Sequence, residues 1–279
     1  MTSQAKFHLI FNAVGALIGL TIVGYIVYSL THTETEAACT ARYPAPTRLA
    51  LHMSDGALMS PIELQARAGS DEWGIHENAS VVADAPGGAA LQVKLAGVPE
   101  VETASGRAAN GIFFRWAPPG IEAAKAACLS YMLWLPDDFE FGDGGLLPGI
   151  VGEAQGDESG SGAAPTLGAR PQWRSAGEAA LNVAPPGSGY APVTQKGFLL
   201  SKGRWVRIEQ ELVLNAPGQS NGIARLWLDG DLEAESTNVV LREDDSAAIR
   251  GVLADIGYTR RSPAQPGSLR ITPFEMAWK

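Results

Sequence analysis

Between Leu9 and Leu30 the chain runs without a single charge, LIFNAVGALIGLTIVGYIVYSL. As a helix rising about 1.5 Å per residue, this stretch is about 33 Å long, enough to cross the apolar core of one bilayer. A secretory signal peptide carries a shorter apolar region, about 7–15 residues. Glu36 also stands two positions before Ala38, at the third residue before a cleavage after Ala38, where a small residue is needed. A retained transmembrane helix over 9–30 is therefore predicted. Lys6 precedes the run and Glu34 and Glu36 follow it, so the positive-inside rule puts residues 1–8 in the cytoplasm. Residues 31–46 then form a polar linker, and 47–279 an external domain. In a bacterium this is a single-pass protein of the inner membrane with its C-terminal domain in the periplasm. A disulfide can persist in that compartment. Cys39 and Cys128 are the two cysteines, and whether they lie close enough to pair is left open by the sequence.

One side of the predicted helix is small. Gly15 and Gly19 form a GxxxG, Ala16 and Gly24 extend it, and Asn12 adds a polar amide near the cytoplasmic end. Such a surface lets another helix approach closely, and an amide can hydrogen-bond across the contact. Glycine is also simply common in membrane helices, which is the plainer explanation. The expected partners are the lipid bilayer and the helices of other membrane subunits.

Beyond the linker the pattern changes to short alternating or apolar runs. These are Leu91–Leu95, Ile112–Trp116, Leu129–Leu135, Trp205–Leu214 and Ile223–Leu228, separated by Gly, Pro, Asn and Asp. In WVRIEQELVL the alternation buries Val206, Ile208, Leu212 and Leu214, with one apparent change of phase that a bulge would explain. Asp229-Gly230 reads as a hairpin turn. Residues 121–128, IEAAKAAC, read as a short helical turn. Many short strands without a repeat suggest one all-β sandwich or jelly roll. The tryptophans at 116, 134, 173, 205 and 227 fall on these strands, where core packing is commoner than a sugar-stacking platform.

Charge and side-chain inventory then exclude several functions. The net charge is −9, and residues beyond 38 carry −8 of it, which disfavours nucleic acid and polyanions as partners. His8, His32, His52 and His76 are scattered, with no metal-ligand spacing. No phosphate loop or nucleophile elbow is present. Asp137, Asp138, Glu140 and Asp143, or Asp229 and Asp231, have the chemistry for calcium, with solvated loop carboxylates the simpler account. No metal and no cofactor is expected.

Three stretches carry a family resemblance. LSYMLWLPDDFEFGDGGLLPGIVG (129–152), LGARPQWR (167–174) and GRWVRIEQELVLNAPGQSNGIARLWLDGDL (203–232) resemble, in order and spacing, the family 14 polysaccharide lyases. The third stretch is the most specific. The resemblance implies an all-β, two-sheet concanavalin-like β-jelly roll behind the N-terminal transmembrane α-helix. It also implies a chemistry, β-elimination of uronate polymers, which needs a carboxylate neutraliser, a base and an acid. In the family a lysine of a GGKLPGL-type motif, a serine and arginine of an SxR element, and two tyrosines on the next strand surround the sugar. Here Leu146 stands at the lysine position and Gly168 at the serine position. The strand Ala179–Ala184 holds Asn182 and no tyrosine; Arg170 alone is retained. Tyr190, Lys196 and Lys202 lie nearby as substitutes. With those groups gone, no catalytic residue is assigned, and Arg170 is left as a sugar contact.

Two functions follow as expectations. One is a non-catalytic, single-span subunit of a bacterial membrane complex, docking through its helix and external domain. By analogy with single-helix accessory subunits, a photosynthetic reaction-centre and light-harvesting complex is the specific guess. The other is an envelope-anchored carbohydrate-binding protein or residual uronate lyase.

Overall fold

The computed structural model describes residues 14–15, 18–24, 36–68, 72–95, 110–153, 167–184, 191–193, 199–259 and 262–279. The chain forms two compact units, Met1–Glu36 and Ala37–Lys279. In the first, residues 14–15 and 18–24 are helical. Among the described residues no helix is long and apolar enough to cross a membrane. Most of the predicted 9–30 span, with Asn12 and Ala16, lies outside them. Gly15, Gly19 and Gly24 are described, and a Cβ added at any of the three would meet nothing within 4 Å.

The second unit is a sandwich of two antiparallel sheets. One contains β1 (Thr47–Arg48), β2 (Ala79–Val82), β3 (Ala90–Lys94), β5 (Ala126–Trp134), β11 (Trp205–Val213), β12 (Gly222–Leu228), β13 (Asp231–Val239), β15 (Ser268–Ile271) and β16 (Glu275–Trp278). Its order is β13-β12-β11-β5-β15-β3-β2, with β16 beside β5 and β1 beside β16. The other contains β4 (Ile112–Trp116), β6 (Gly144–Leu146), β7 (Gly149–Glu153), β8 (Leu167–Arg174), β9 (Ala179–Ala184), β10 (Ala191–Val193) and β14 (Ala248–Tyr258), in the order β10-β9-β8-β6-β14-β4. There β7 bridges β14 and β8 beyond β6. Two helices, α1 (Pro61–Ala68) and α2 (Ile75–Asn78), precede β2.

Alternate residues of each strand fill the space between the sheets, as the pleat requires. Leu129, Tyr131 and Leu133 of β5 and Val206, Ile208 and Leu212 of β11 meet Leu167, Ala169 and Trp173 of β8 and Ile256 and Tyr258 of β14. The expected bulge in β11 is absent. Its register with β5 runs unbroken from Trp205↔Trp134 to Val213↔Ala126. The pattern only looked shifted because Gln210 occupies an inward position, fully buried. There its amide Nε2 donates to the Pro148 carbonyl at 2.8 Å, and the Tyr131 hydroxyl donates to the same oxygen at 3.1 Å. The helical turn expected at 121–128 is also absent: residues 126–128 open β5. Strand pairing overrides the helix propensity of an alanine-rich stretch. The Asp229-Gly230 turn is present, both residues at positive φ (51° and 94°), joining β12 to β13.

The segment expected to be a linker is partly built into the fold. Residues 37–46 lie in the second unit, and the 3-10 turn Cys39–Ala41 packs on β5 and β11. Cys39 and Cys128 form a disulfide with their Cα atoms 5.8 Å apart.

Candidate functional site

The four positions singled out by the sequence come together on one surface. Leu167, Ala169 and Trp173 of β8, and Leu181 and Val183 of β9, point into the core. Gly168, Arg170 and Gln172, and Asn182, therefore point the other way. Arg170 faces Asn182 across the β8–β9 ladder, and Leu146 faces Gln172 across β6–β8. Leu146, Gly168, Arg170 and Asn182 thus share the outer face of the seven-stranded sheet.

Local sequence explains how the arginine is placed. A Cβ at Gly149 would come within 2.6 Å of Arg170 Cγ and 2.4 Å of the Ala169 carbonyl. Glycine at that position leaves room for the arginine stem to lie across β7. Gly145 does the same on the core side, where a Cβ would fall 2.0 Å from the Trp173 ring. The GGLLPG run is thus shaped by what crosses it.

Having crossed β7, the Arg170 guanidinium donates to the Asp255 carboxylate of β14 at 2.8 Å. Both residues are buried, 4% and 1% exposed. Phe113, Val151 and Leu253 form an apolar cluster on the same face, with Trp73 packed against it. Trp73 and Phe113 exchange two backbone hydrogen bonds of 2.9 Å. Asn182 Nδ2 donates to Gln172 Oε1 at 2.6 Å. Arg115 and Glu153 pair at the side of the cluster. Among the described residues, the strands of this sheet present no lysine or histidine. Their one tyrosine, Tyr258, points into the core, where its hydroxyl donates to the Glu140 carbonyl at 2.8 Å. Burial raises that phenol to about 12.

Of the substitutes considered, Tyr190 and Lys196 lie outside the described residues, and the Lys202 ammonium sits 5.2 Å from the Phe141 ring centre. His8 and His32 are outside too; His76 is exposed on α2. The candidate calcium carboxylates do not gather in threes among the described residues. The one cluster of that kind is Cys39, Cys128 and Glu209, and its sulfurs are joined to each other. Trp173 is core, with Nε1 donating to the Phe141 carbonyl at 2.9 Å, and Trp227 is fully buried beside the disulfide.

Sequence reasoning missed a second set of buried charges, on the outer face of the nine-stranded sheet. Glu209 Oε2 accepts from the Thr40 amide (3.2 Å) and hydroxyl (2.9 Å). Glu211 Oε2 binds Arg42 at 2.7 Å and Arg225 at 3.0 Å, and Arg225 also holds Glu235. Burial, then the neighbouring Glu211, pushes the Tyr43 phenol up. The alternation of carboxylates in IEQEL was the available signal: acidic residues on the outward face of a central strand need cationic partners.

The marine alginate lyase of Aplysia kurodai superimposes with a TM-score of 0.68 at 18% identity, covering 85% of this chain and 99% of that one. An alginate lyase from Chlorella virus gives 0.60 at 16%, covering 78% and 97%. The endo-β-1,4-glucuronan lyase of the fungus Trichoderma reesei gives 0.52 at 14%, covering 76% and 90%. Comparison with curated protein sequences gives no match. The polysaccharide lyase 14 profile matches residues 84–258, well over half of the chain. The chain belongs to the polysaccharide lyase 14 family.

Proposed function

We propose that this protein is a non-catalytic member of its family, a membrane-anchored accessory subunit whose jelly roll serves assembly and not cleavage. The observation that carries the proposal is the Arg170–Asp255 pair. A uronate carboxylate approaching Arg170 would find the guanidinium already neutralised by a buried aspartate, and displacing that pair would leave the aspartate buried without its counter-charge. The surrounding groups are Leu146, Gly168 and the Asn182–Gln172 amide pair, none of which exchanges a proton near neutral pH.

The anchor rests on the uncharged run over 9–30 and on the exposed apolar side chains of its described helical residues. Val14, Ile18, Leu20, Ile22 and Val23 are 51% to 71% exposed. Such a surface calls for lipid or neighbouring helices. The partner is a membrane protein complex of the inner membrane, the photosynthetic reaction-centre assembly being the guess by analogy. The test is purification from native membranes in mild detergent. Comigration with a defined complex supports the proposal, and a monomer with no companion overturns it.

Family membership favours a second reading, residual polysaccharide lyase or uronate binding through Arg170. Elimination creates a conjugated double bond, so ultraviolet absorbance after incubation with alginate and glucuronan decides the catalytic version. A growing signal refutes the pseudoenzyme.

A further inference from the structure

The geometry points to a binding platform for acidic saccharides on the opposite side of the sandwich, the outer face of the nine-stranded sheet. Trp205 pairs in register with Trp134, Trp134 with Arg270, and Arg270 with Gln92. Directly opposed residues point to the same side of a sheet. Their chain neighbours Val206, Leu133, Leu269 and Leu91 are core, so these four side chains face outward together. They form one straight row across four adjacent strands, spanning about 14 Å at about 4.8 Å per strand.

The row has an order of chemistry. Two indole rings come first. The Arg270 guanidinium follows, its centre 4.9 Å from the Trp134 ring centre and its Nε donating to Gln92 Oε1 at 2.9 Å. Flat aromatic faces take up the apolar face of a sugar ring. A guanidinium held in place by an amide and an indole is preset for a carboxylate. Arg207, two residues along β11, stands between two adjoining cavities of about 260 and 190 Å³, which share Ser130, Arg207 and Glu275. The larger of the two reaches the segment Thr40–Pro46.

Charge selects the occupant. The chain is acidic overall, yet Arg270, Arg207 and Lys94 on this face form no ion pair among the described residues. An anionic sugar chain matches both the rings and the cations; a neutral one matches only the rings. This platform does not depend on whether the other sheet retains lyase chemistry, because it uses none of the same residues.

The test is calorimetric titration of the full chain in detergent with a glucuronan oligosaccharide, and with the cello-oligosaccharide that lacks its carboxylates. Glucuronan is expected to bind, to quench tryptophan fluorescence, and to weaken with added salt. Trp205→Ala, Arg270→Gln and Arg207→Gln should each weaken binding about tenfold or more. Asn182→Ala, on the other sheet, should leave it unchanged. Equal affinity for the neutral oligosaccharide, unchanged affinity in Arg207→Gln and Trp205→Ala, or binding only to anionic lipid vesicles would each overturn the assignment. Elimination product in the same samples would count against the pseudoenzyme proposal alone.

Discussion

Arg170 reaches over Gly149 to place its Nη2 2.8 Å from Asp255 Oδ2, joining β8 to β14 across the intervening β7. Both residues are almost wholly buried, so water screens neither charge. A buried pair of this kind adds little stability against an apolar replacement, but removing one partner strands the other. Arg170→Leu or Asp255→Leu alone should therefore cost about 3–5 kcal/mol, while the double substitution recovers most of that loss. Urea denaturation of the four proteins completes the cycle. Additive losses would show that the two residues act separately.

Alkali should find the core through its phenols. Burial raises Tyr258 from an ordinary value near 10 to about 12, and burial likewise pushes Tyr131 up. The folded state thus favours the protonated phenol. That stabilisation is complete below about pH 10 and is lost as pH climbs through about 12. Tyr258→Phe should flatten this part of the stability curve. At neutral pH it should cost about 1 kcal/mol for the lost bond to the Glu140 carbonyl. Denaturation midpoints between neutrality and pH 12 read both effects.

The Cys39–Cys128 bond closes a loop with a sequence separation of 89. A disulfide is typically worth about 2–4 kcal/mol, with long loops such as this one at the upper end. Reductant should lower the denaturation midpoint accordingly and open residues 37–46 to protease. The Cys39→Ser/Cys128→Ser protein should start at the lower value and ignore reductant.

Pro148 offers a test of redundancy. Its carbonyl accepts from both Gln210 Nε2 and the Tyr131 hydroxyl. Gln210 Oε1 has no hydrogen-bond partner among the described residues, so Gln210→Leu also removes an unsatisfied atom. That change, or Tyr131→Phe, should each stay within about 1 kcal/mol. Together they leave the carbonyl bare and should cost about 1–3 kcal/mol beyond the sum. Thermal unfolding of the set measures the coupling.

How far the molecule was legible in its sequence follows from the range of the forces involved. The alternation of β11 and the Asp229-Gly230 turn are local, and both were readable. The grouping of Leu146, Gly168, Arg170 and Asn182 came only as what the family resemblance implies, since no local pattern links strands so far apart in the chain. Gln210 was misread, since its polarity is explained only by Pro148, 62 residues away. Asp255 was missed as the arginine's partner for the same reason, at a separation of 85. The alanine-rich start of β5 shows the opposite failure, a local preference overruled by the strands on either side. Asn12 and Ala16 remain outside the described residues.

The placement of Cys128 has a mechanical corollary. It sits in β5, which is flanked by β11 on one side and β15 and β16 on the other. A tug on the chain before Cys39 enters the sandwich covalently at this interior strand, not at a frayed edge. Ladders on both sides of β5 would then have to shear together before the domain gave way. A tether fastened there resists load in a way that a simple N-terminal linker running into an edge strand could not.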